Sequence, residues 1–323
     1  MQAVSYPRLV GDIGGTNARF GWIESAQHMP SAIETLPCAD FASLVDAVRH
    51  YLAALGRARP VWCAIGIANP VVGDHVQMTN HDWSFSISDV KRDLGLDRFL
   101  VINDFTALAL ALPVLAPSDV RQVGPGAPVA GAPLALLGAG TGLGVSGLLP
   151  AGSGHGAIPI NGEGGHVTLA AIDEREERVM GILRRRFGHA SAERALSGPG
   201  IENLHQAVCE LAGEMAPAMT AAQITGHAMA GSDARSVEAL ELFFSFLGTI
   251  AGNLALSLGS LGGLYIGGGI VPRLGQAIDA SRFRQSFESK GRFRRYMEQI
   301  PTYVLQSKVS PALIGAARAL DDL

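Results

Sequence analysis

Three apolar runs of strand length each break into a cluster of glycines, and this pairing limits the folds open to the chain. The first run, Leu9-Val10-Gly11-Asp12-Ile13, leads through Gly14-Gly15-Thr16-Asn17 into a second strand-like stretch that ends at Trp22-Ile23. The second, Leu134-Ala135-Leu136-Leu137, leads through Gly138-Ala139-Gly140-Thr141-Gly142-Leu143-Gly144 into Val145–Leu149. The third, Leu264-Tyr265-Ile266, ends in Gly267-Gly268-Gly269-Ile270. Short continuous apolar runs suit strands covered on both faces. A glycine turn behind such a strand presents backbone N–H groups to a phosphate with no side chain in the way. Taken singly, each turn also fits an ordinary hairpin. Three of them, two carrying a Thr, point to a nucleotide held between two related lobes.

The rest of the chain supplies helices between the strands. Apolar residues at helical spacing (Phe41, Leu44, Val45, Val48, Leu52, Leu55) predict a helix over Phe41–Leu55. Val61–Ile67 and Phe99–Ile102 read as buried strands, Val71–Trp83 as a hairpin, and Ser88 as the cap of a short helix through Leu94. Thr106–Leu115 reads as an apolar helix stopped by Pro117. Strands alternating with helices argue for an α/β fold, and 323 residues for two domains.

Several function classes fall away. With 48% hydrophobic and only 17% charged residues the chain is not a disordered one. A net charge of -4 gives no general pull toward nucleic acid, and the basic clusters at Arg184-Arg185-Arg186 and between Arg282 and Arg295 read as solvated helix faces. Cys38, Cys63 and Cys209 are far apart and form no C-x-x-C, which argues against a disulfide framework or zinc site and for a reducing cytoplasm. Met1–Pro7 lacks the pattern of a secretory leader. Leu242–Pro272 holds no charged residue and is long enough to span a bilayer. Asn253, its serines and Gly262-Gly263 favour instead a buried helix followed by a buried strand. There is no G-x-x-x-x-G-K-[ST], and the second glycine turn does not fit G-x-G-x-x-G.

Three places offer chemistry. Asp104 follows a buried strand and precedes a helix. It suits a helix N-cap, as does Asn103, and equally a general base at the carboxyl edge of a parallel sheet. Asn161-Gly162-Glu163-Gly164-Gly165-His166 is too rich in glycine for a metal-binding helix, and its Glu and His suit either a plain surface loop or hydrogen bonds to a polyol. Glu193, after Ser191, reads locally as a capping-turn acid.

Together these stretches resemble the bacterial glucokinases, hexokinase-like sugar kinases of the actin-like ATPase superfamily. The matching segments are Gly11–Arg19, Met78–Phe85, Ile102–Ala107, Gly138–Gly144, Gly162–His166, Glu193–Gly200 and Gly267–Ile270, in the family's order. No cysteine stands near His166, which separates the chain from the zinc-bearing repressor–open-reading-frame–kinase group. The resemblance implies a two-lobed actin-like ATPase (ribonuclease H-like) α/β fold with the active site in the interlobe cleft. The small domain is expected over 1–113 plus 310–323 and the large one over 114–309. The implied reaction is ATP-dependent phosphorylation of D-glucose at its 6-hydroxyl, the first step of glycolysis. Asp104 matches the catalytic base, and Asn103, Asp104, Glu163, His166 and Glu193 the sugar-binding positions. Gly11, Asp12, Ile13, Gly14, Gly15, Thr16 and Asn17 match the first phosphate loop, Gly140 and Thr141 the second, and Gly267, Gly268 and Gly269 the adenosine region. No tightly bound metal is expected. Mg²⁺ would arrive with ATP, near Asp12 through water, and Asp12 reads as the Mg²⁺-side acid rather than the base. A cytoplasmic homodimer with no nucleic-acid or membrane partner is expected. The rival readings are a kinase for another hexose, a sugar sensor without turnover, and an ATPase that moves rather than phosphorylates.

Overall fold

The computed structural model describes residues 5–57, 59–79, 81–150, 157–307 and 309–322. Met1–Val4 and Asn80, which belong to stretches interpreted from the sequence, lie outside them. The chain divides into two units, Met1–Ala116 with Pro150–Asn161 and Ser307–Leu323, and Pro117–Leu149 with Gly162–Gln306.

The first unit begins with β1 (Arg8–Ile13), β2 (Asn17–Ile23), β3 (Ser31–Pro37) and α1 (Leu44–Ala54). It continues through β4 (Trp62–Ile67), β5 (His75–Gln77), β6 (Ser84–Ser86), α2 (Ile87–Asp93), β7 (Arg98–Asn103) and α3 (Asp104–Ala111). Its main sheet runs β3-β2-β1-β4-β7. β1 pairs antiparallel with β2 across the first glycine turn and parallel with β4, which pairs parallel with β7. Side chains of a strand alternate between faces, so Leu9 and Ile13 enter one core with Phe20, Tyr51, Ile65 and Ile67, while Val10 enters another with Ala64, Leu313, Ala316 and Leu320. Covering both faces is what the continuous apolar runs require. Each fully buried Leu or Ile contributes about 1.5–3 kcal/mol.

The second unit supplies β8 (Val120–Val123), β9 (Leu134–Ala139) and β10 (Leu143–Leu149); β11 (Ile158–Asn161) then belongs to the first. Next come α4 (Glu174–Phe187), α5 (Gly198–Leu211), α6 (Ala221–Ala230), α7 (Ala234–Leu258), β12 (Leu264–Gly267), α8 (Ala277–Ala280), α9 (Phe283–Glu288), α10 (Arg294–Glu298) and β13 (Thr302–Leu305). Helix α11 (Pro311–Asp322) closes the first unit. β9 pairs antiparallel with β10 and parallel with β12, which pairs parallel with β13. The second glycine turn thus repeats the surroundings of the first: a hairpin whose leading strand has a parallel neighbour on its other side. Helix α7 is long and apolar enough to cross a membrane, but 78% of its apolar window is buried. Phe243, Phe246 and Leu247 sit in the unit's core with Leu204, Phe283 and Phe287.

Local boundaries differ from the sequence reading where caps decide them. Ser43 caps α1, its side chain accepting from Asp46 N–H, so the helix begins after Phe41. Ser86, not Ser88, caps α2: its side chain accepts from Asp89 N–H (3.1 Å), while Asp74 accepts from the Ser88 N–H (2.9 Å) and from both hydroxyls. The hairpin falls on β5 and β6 rather than on Val71–Trp83, and Val72 is 84% exposed. Helix α3 starts at Asp104 and tightens after Ala111 into a 3₁₀ turn at Leu112–Val114.

Candidate active site

In the first unit the carboxyl ends of β1, β4 and β7 lie side by side, with Ile13 level with Ile67 and Ile67 level with Asn103. Loops at this edge of a parallel sheet are where α/β proteins bind ligands. The turn after β1 closes with Gly14 N–H donating to Asn17 O (2.9 Å) and is held from behind by Cys38, whose N–H donates to Thr16 O (2.9 Å). Thr16 and Asn17 are exposed.

The hydrogen bonds decide which residue caps α3. Asn103 Oδ1 accepts from the N–H of Phe105 (2.9 Å) and Thr106 (3.2 Å), while its Nδ2 donates to Asn69 O (3.4 Å). Asn103 is therefore the cap, and only its amide N–H₂ remains to donate to a ligand. Asp104 is the first residue of the helix, and its Oδ1 accepts from Phe105 N–H (2.9 Å). Burial pushes its carboxyl up to about 6, helped by the negative charge of Asp12 and opposed by the Phe105 N–H. A base poised near neutrality suits proton abstraction. Replacing Asn103 with Ala should cost about 0.5–2 kcal/mol of stability, the usual value of such a cap, while Asn103→Asp keeps it. Thermal denaturation of the two variants checks this; equal midpoints would contradict the cap.

Asp12 has two partners that the sequence did not reveal. Ser310 Oγ donates to its Oδ2 (2.8 Å), and Arg19 Nη1 lies 3.2 Å from the same oxygen. Burial raises the Asp12 carboxyl, while Ser310 and Arg19 pull it down. Arg19 stands within the Gly11–Arg19 motif and alternates to the right face of β2. Ser310 precedes the Pro that starts α11 but lies 298 residues from Asp12, so no local signal joins them.

In the second unit β9 and β12 bring two turns together, with Gly138 level with Gly267. Gly268 has φ 77°, the left-handed region, and its Cα faces the Ala139 carbonyl so closely that a Cβ would overlap it. Gly140 N–H donates to Gly142 O (2.8 Å), and Gly198 N–H donates to Gly140 O (2.8 Å), so the second turn is tied to the start of α5. Thr141 is exposed.

The sugar-binding candidates of this unit gather beside that turn. Gly164–His166 forms a 3₁₀ turn, with Glu163 just before it and His166 at its end, both exposed. A second 3₁₀ turn, Ala192–Arg194, carries Glu193 and is joined to the first by Ala192 N–H donating to Val167 O (2.9 Å). Ser191 provides no side-chain cap, so the local capping reading of Glu193 is replaced. Its Oε2 instead accepts from Leu143 N–H (2.9 Å), 50 residues away. Gly142 and Leu143 therefore join the residues that shape the site, though neither stood out in the sequence as more than part of a glycine turn. Among the described residues no group of three or more His, Cys, Asp or Glu is arranged to hold a metal ion.

The glucokinase family model matches residues 9–323. The glucokinase of Aromatoleum aromaticum is 55% identical over 319 residues, covering 98% of this chain and 96% of that one. A crystal structure of a glucokinase from an Antarctic psychrotroph superposes with a TM-score of 0.90 at 37% identity, covering 98% of this chain and 99% of that one. A more distant ROK family glucokinase from Streptomyces griseus, solved with glucose and AMPPNP, shares the fold at a TM-score of 0.64 and 18% identity, over 97% and 99% of the two chains. The α/β fold is thus the actin-like ATPase fold of these sugar kinases, and the chain belongs to the glucokinase family.

Proposed function

We propose that the chain transfers the γ-phosphoryl group of ATP to the 6-hydroxyl of D-glucose, with Asp104 as the base. The observation that carries the assignment of roles is Asp104 itself. It stands at the carboxyl end of a parallel strand, fixed by the first turn of α3, with its carboxyl pushed up to about 6 by burial and by Asp12. Its carboxylate accepts the proton of the 6-hydroxyl as that oxygen bonds to the γ-phosphorus and the bond to ADP breaks. Such transfer is mostly positioning and charge stabilisation. The turn at Gly11–Asn17, with Gly140, Thr141 and Gly267–Gly269, supplies the backbone surface for ATP. Asn103, Glu163, His166 and Glu193 take the sugar hydroxyls, carboxylates accepting and the Asn103 amide donating.

A Mg²⁺ ion usually takes one or two carboxylates together with substrate phosphates rather than a protein cage, and the residues fit that pattern. Ser310 and Arg19 both bond Oδ2 of Asp12, which leaves Oδ1 for a metal-bound water. When bound with ATP, Mg²⁺ neutralises phosphate charge. We assign the two domains to 1–113 plus 310–323 and to 114–309, closing on the sugar to exclude water that would otherwise waste ATP; a division into two units with nearly these outer bounds supports a two-domain reading, although it groups Pro150–Asn161 with the first. The family resemblance supports a cytoplasmic homodimer.

A coupled assay of ADP formation over a panel of hexoses tests the substrate: glucose should give the highest kcat/KM, and a preference for another hexose would redirect the assignment. Glu163→Ala should raise the KM for glucose roughly 10- to 100-fold, the value of a hydrogen bond to a charged group, with less change in kcat. An unchanged KM would remove Glu163 from the sugar site.

A further inference from the structure

The backbone of Leu143 meets, on its two sides, residues of both turns that carry the sugar ligands. Its N–H is held by Glu193 Oε2 at 2.9 Å. Its carbonyl oxygen faces Gly165 of the Glu163–His166 turn so closely that a Cβ at Gly165 would overlap it. Leu143 is also the residue that follows the tight Gly140–Gly142 bond of the second nucleotide turn. The other side of Glu193 is tied to the same turn: Ser197 Oγ donates to Glu193 O (2.8 Å), and Gly198 N–H donates to Gly140 O (2.8 Å). Nucleotide turn and sugar turns therefore form one hydrogen-bonded piece within the second unit.

From this geometry we propose that Gly142 and Leu143, residues of the nucleotide turn, set the position of the sugar-binding carboxylate of Glu193. Gly142 and Leu143 are positioning residues for glucose, and occupancy of the turn by nucleotide and of Glu193 by sugar is coupled through the Leu143 peptide. The inference rests on the reading of Glu193 as a sugar ligand. A carboxylate that accepts a backbone N–H on one oxygen presents the other in a fixed direction, which is how a supporting bond sharpens a binding group. Coupling of this kind is reciprocal, since each ligand changes the other's affinity by the same factor.

Gly142 offers a clean perturbation. A Cβ there would lie 2.5 Å from Glu193 Oε2 and, among the described residues beyond its chain neighbours, would come within 4 Å of no backbone atom. Gly142 does not occupy the left-handed region, so Gly142→Ala requires only that the flexible end of Glu193 move, off the Leu143 N–H. Calorimetric titrations of glucose alone, and of AMPPNP with Mg²⁺ alone, into wild type, Gly142→Ala and Glu193→Ala provide the test, with thermal midpoints recorded to confirm folding. Gly142→Ala should weaken glucose about tenfold. In wild type, saturating AMPPNP should change the Kd for glucose, and in Gly142→Ala that change should shrink. An unchanged Kd for glucose in Glu193→Ala would remove the sugar role of Glu193 and the inference with it. Weakened glucose in Glu193→Ala beside an unchanged Kd in Gly142→Ala would overturn the inference alone.

Discussion

Asp104→Asn should lower kcat by about 10²–10⁴ or more, the usual contribution of a positioned base, while ATP binds with near-normal affinity. The amide keeps the shape of the carboxylate and an oxygen for the Phe105 N–H, so the helix start survives and only the proton acceptor is lost. In the wild type, kcat/KM should fall as the pH drops below about 6, because the protonated carboxyl can no longer accept the 6-hydroxyl proton. The same shift carries a stability signature. A carboxyl whose pKa rises from 3.8 to about 6 on folding adds nothing unfavourable below about pH 4, where both states are protonated. Its cost grows between those values and is complete above pH 6, where the folded state must bury the charge. Asp104→Asn should therefore be more stable than wild type above pH 6, with the difference gone below pH 4. Denaturant midpoints across that range, beside single-turnover rates, check both halves. A variant with near-normal turnover would remove Asp104 as the base, and equal stability at all pH values would contradict its costly burial.

Gly268→Ala should be strongly damaging. The backbone at Gly268 has φ 77°, where a side chain brings strain of about 1–3 kcal/mol. The new Cβ would overlap the Ala139 carbonyl, which cannot retreat, because β9 and β12 are paired in parallel up to Gly138 and Gly267. Ile270 N–H also donates to that carbonyl (3.1 Å). Overpacking a rigid site adds about 1–3 kcal/mol, so the sum, about 2–6 kcal/mol, is a large part of the stability of a typical domain, about 5–15 kcal/mol. Soluble yield and denaturant midpoint should fall sharply, and the surviving protein should bind nucleotide poorly. Gly140→Ala is the control: a Cβ there would meet only Gly269 N, at 3.9 Å. Similar midpoints for the two variants would contradict the close approach.

The sequence showed the parts of the fold that depend on local pattern. Continuous apolar runs marked β1, β4, β9 and β12, and the glycine clusters marked the turns behind them. The uncharged stretch from Leu242 reads as a buried helix and strand, which the packing of Phe243 and Phe246 beneath α5 and α9 explains. Helix starts slipped by a few residues where two neighbouring hydroxyls both suit a cap, as at Ser86 and Ser88, of which Ser86 accepts the Asp89 N–H. The site was legible as a set of motifs because each glycine turn carries its own signature. What connects the motifs was not legible. Glu193 looked like a capping acid because its acceptor role toward Leu143 N–H spans 50 residues. Ser310 gave no sign of reaching Asp12, since that contact exists only once α11 packs on the first sheet. Long-range hydrogen bonds of this kind have no periodicity and arise only from the fold.

Transfer of the phosphoryl group to the sugar's 6-oxygen, and not to water, is what the assigned residues must achieve together. The ³¹P spectrum of a reaction containing glucose, ATP and Mg²⁺ tests it most directly. The product phosphorus should couple to the two protons on carbon 6 and should accumulate in equal amount with ADP. ADP accompanied by inorganic phosphate, or a product phosphorus coupled to any other sugar position, would contradict the account.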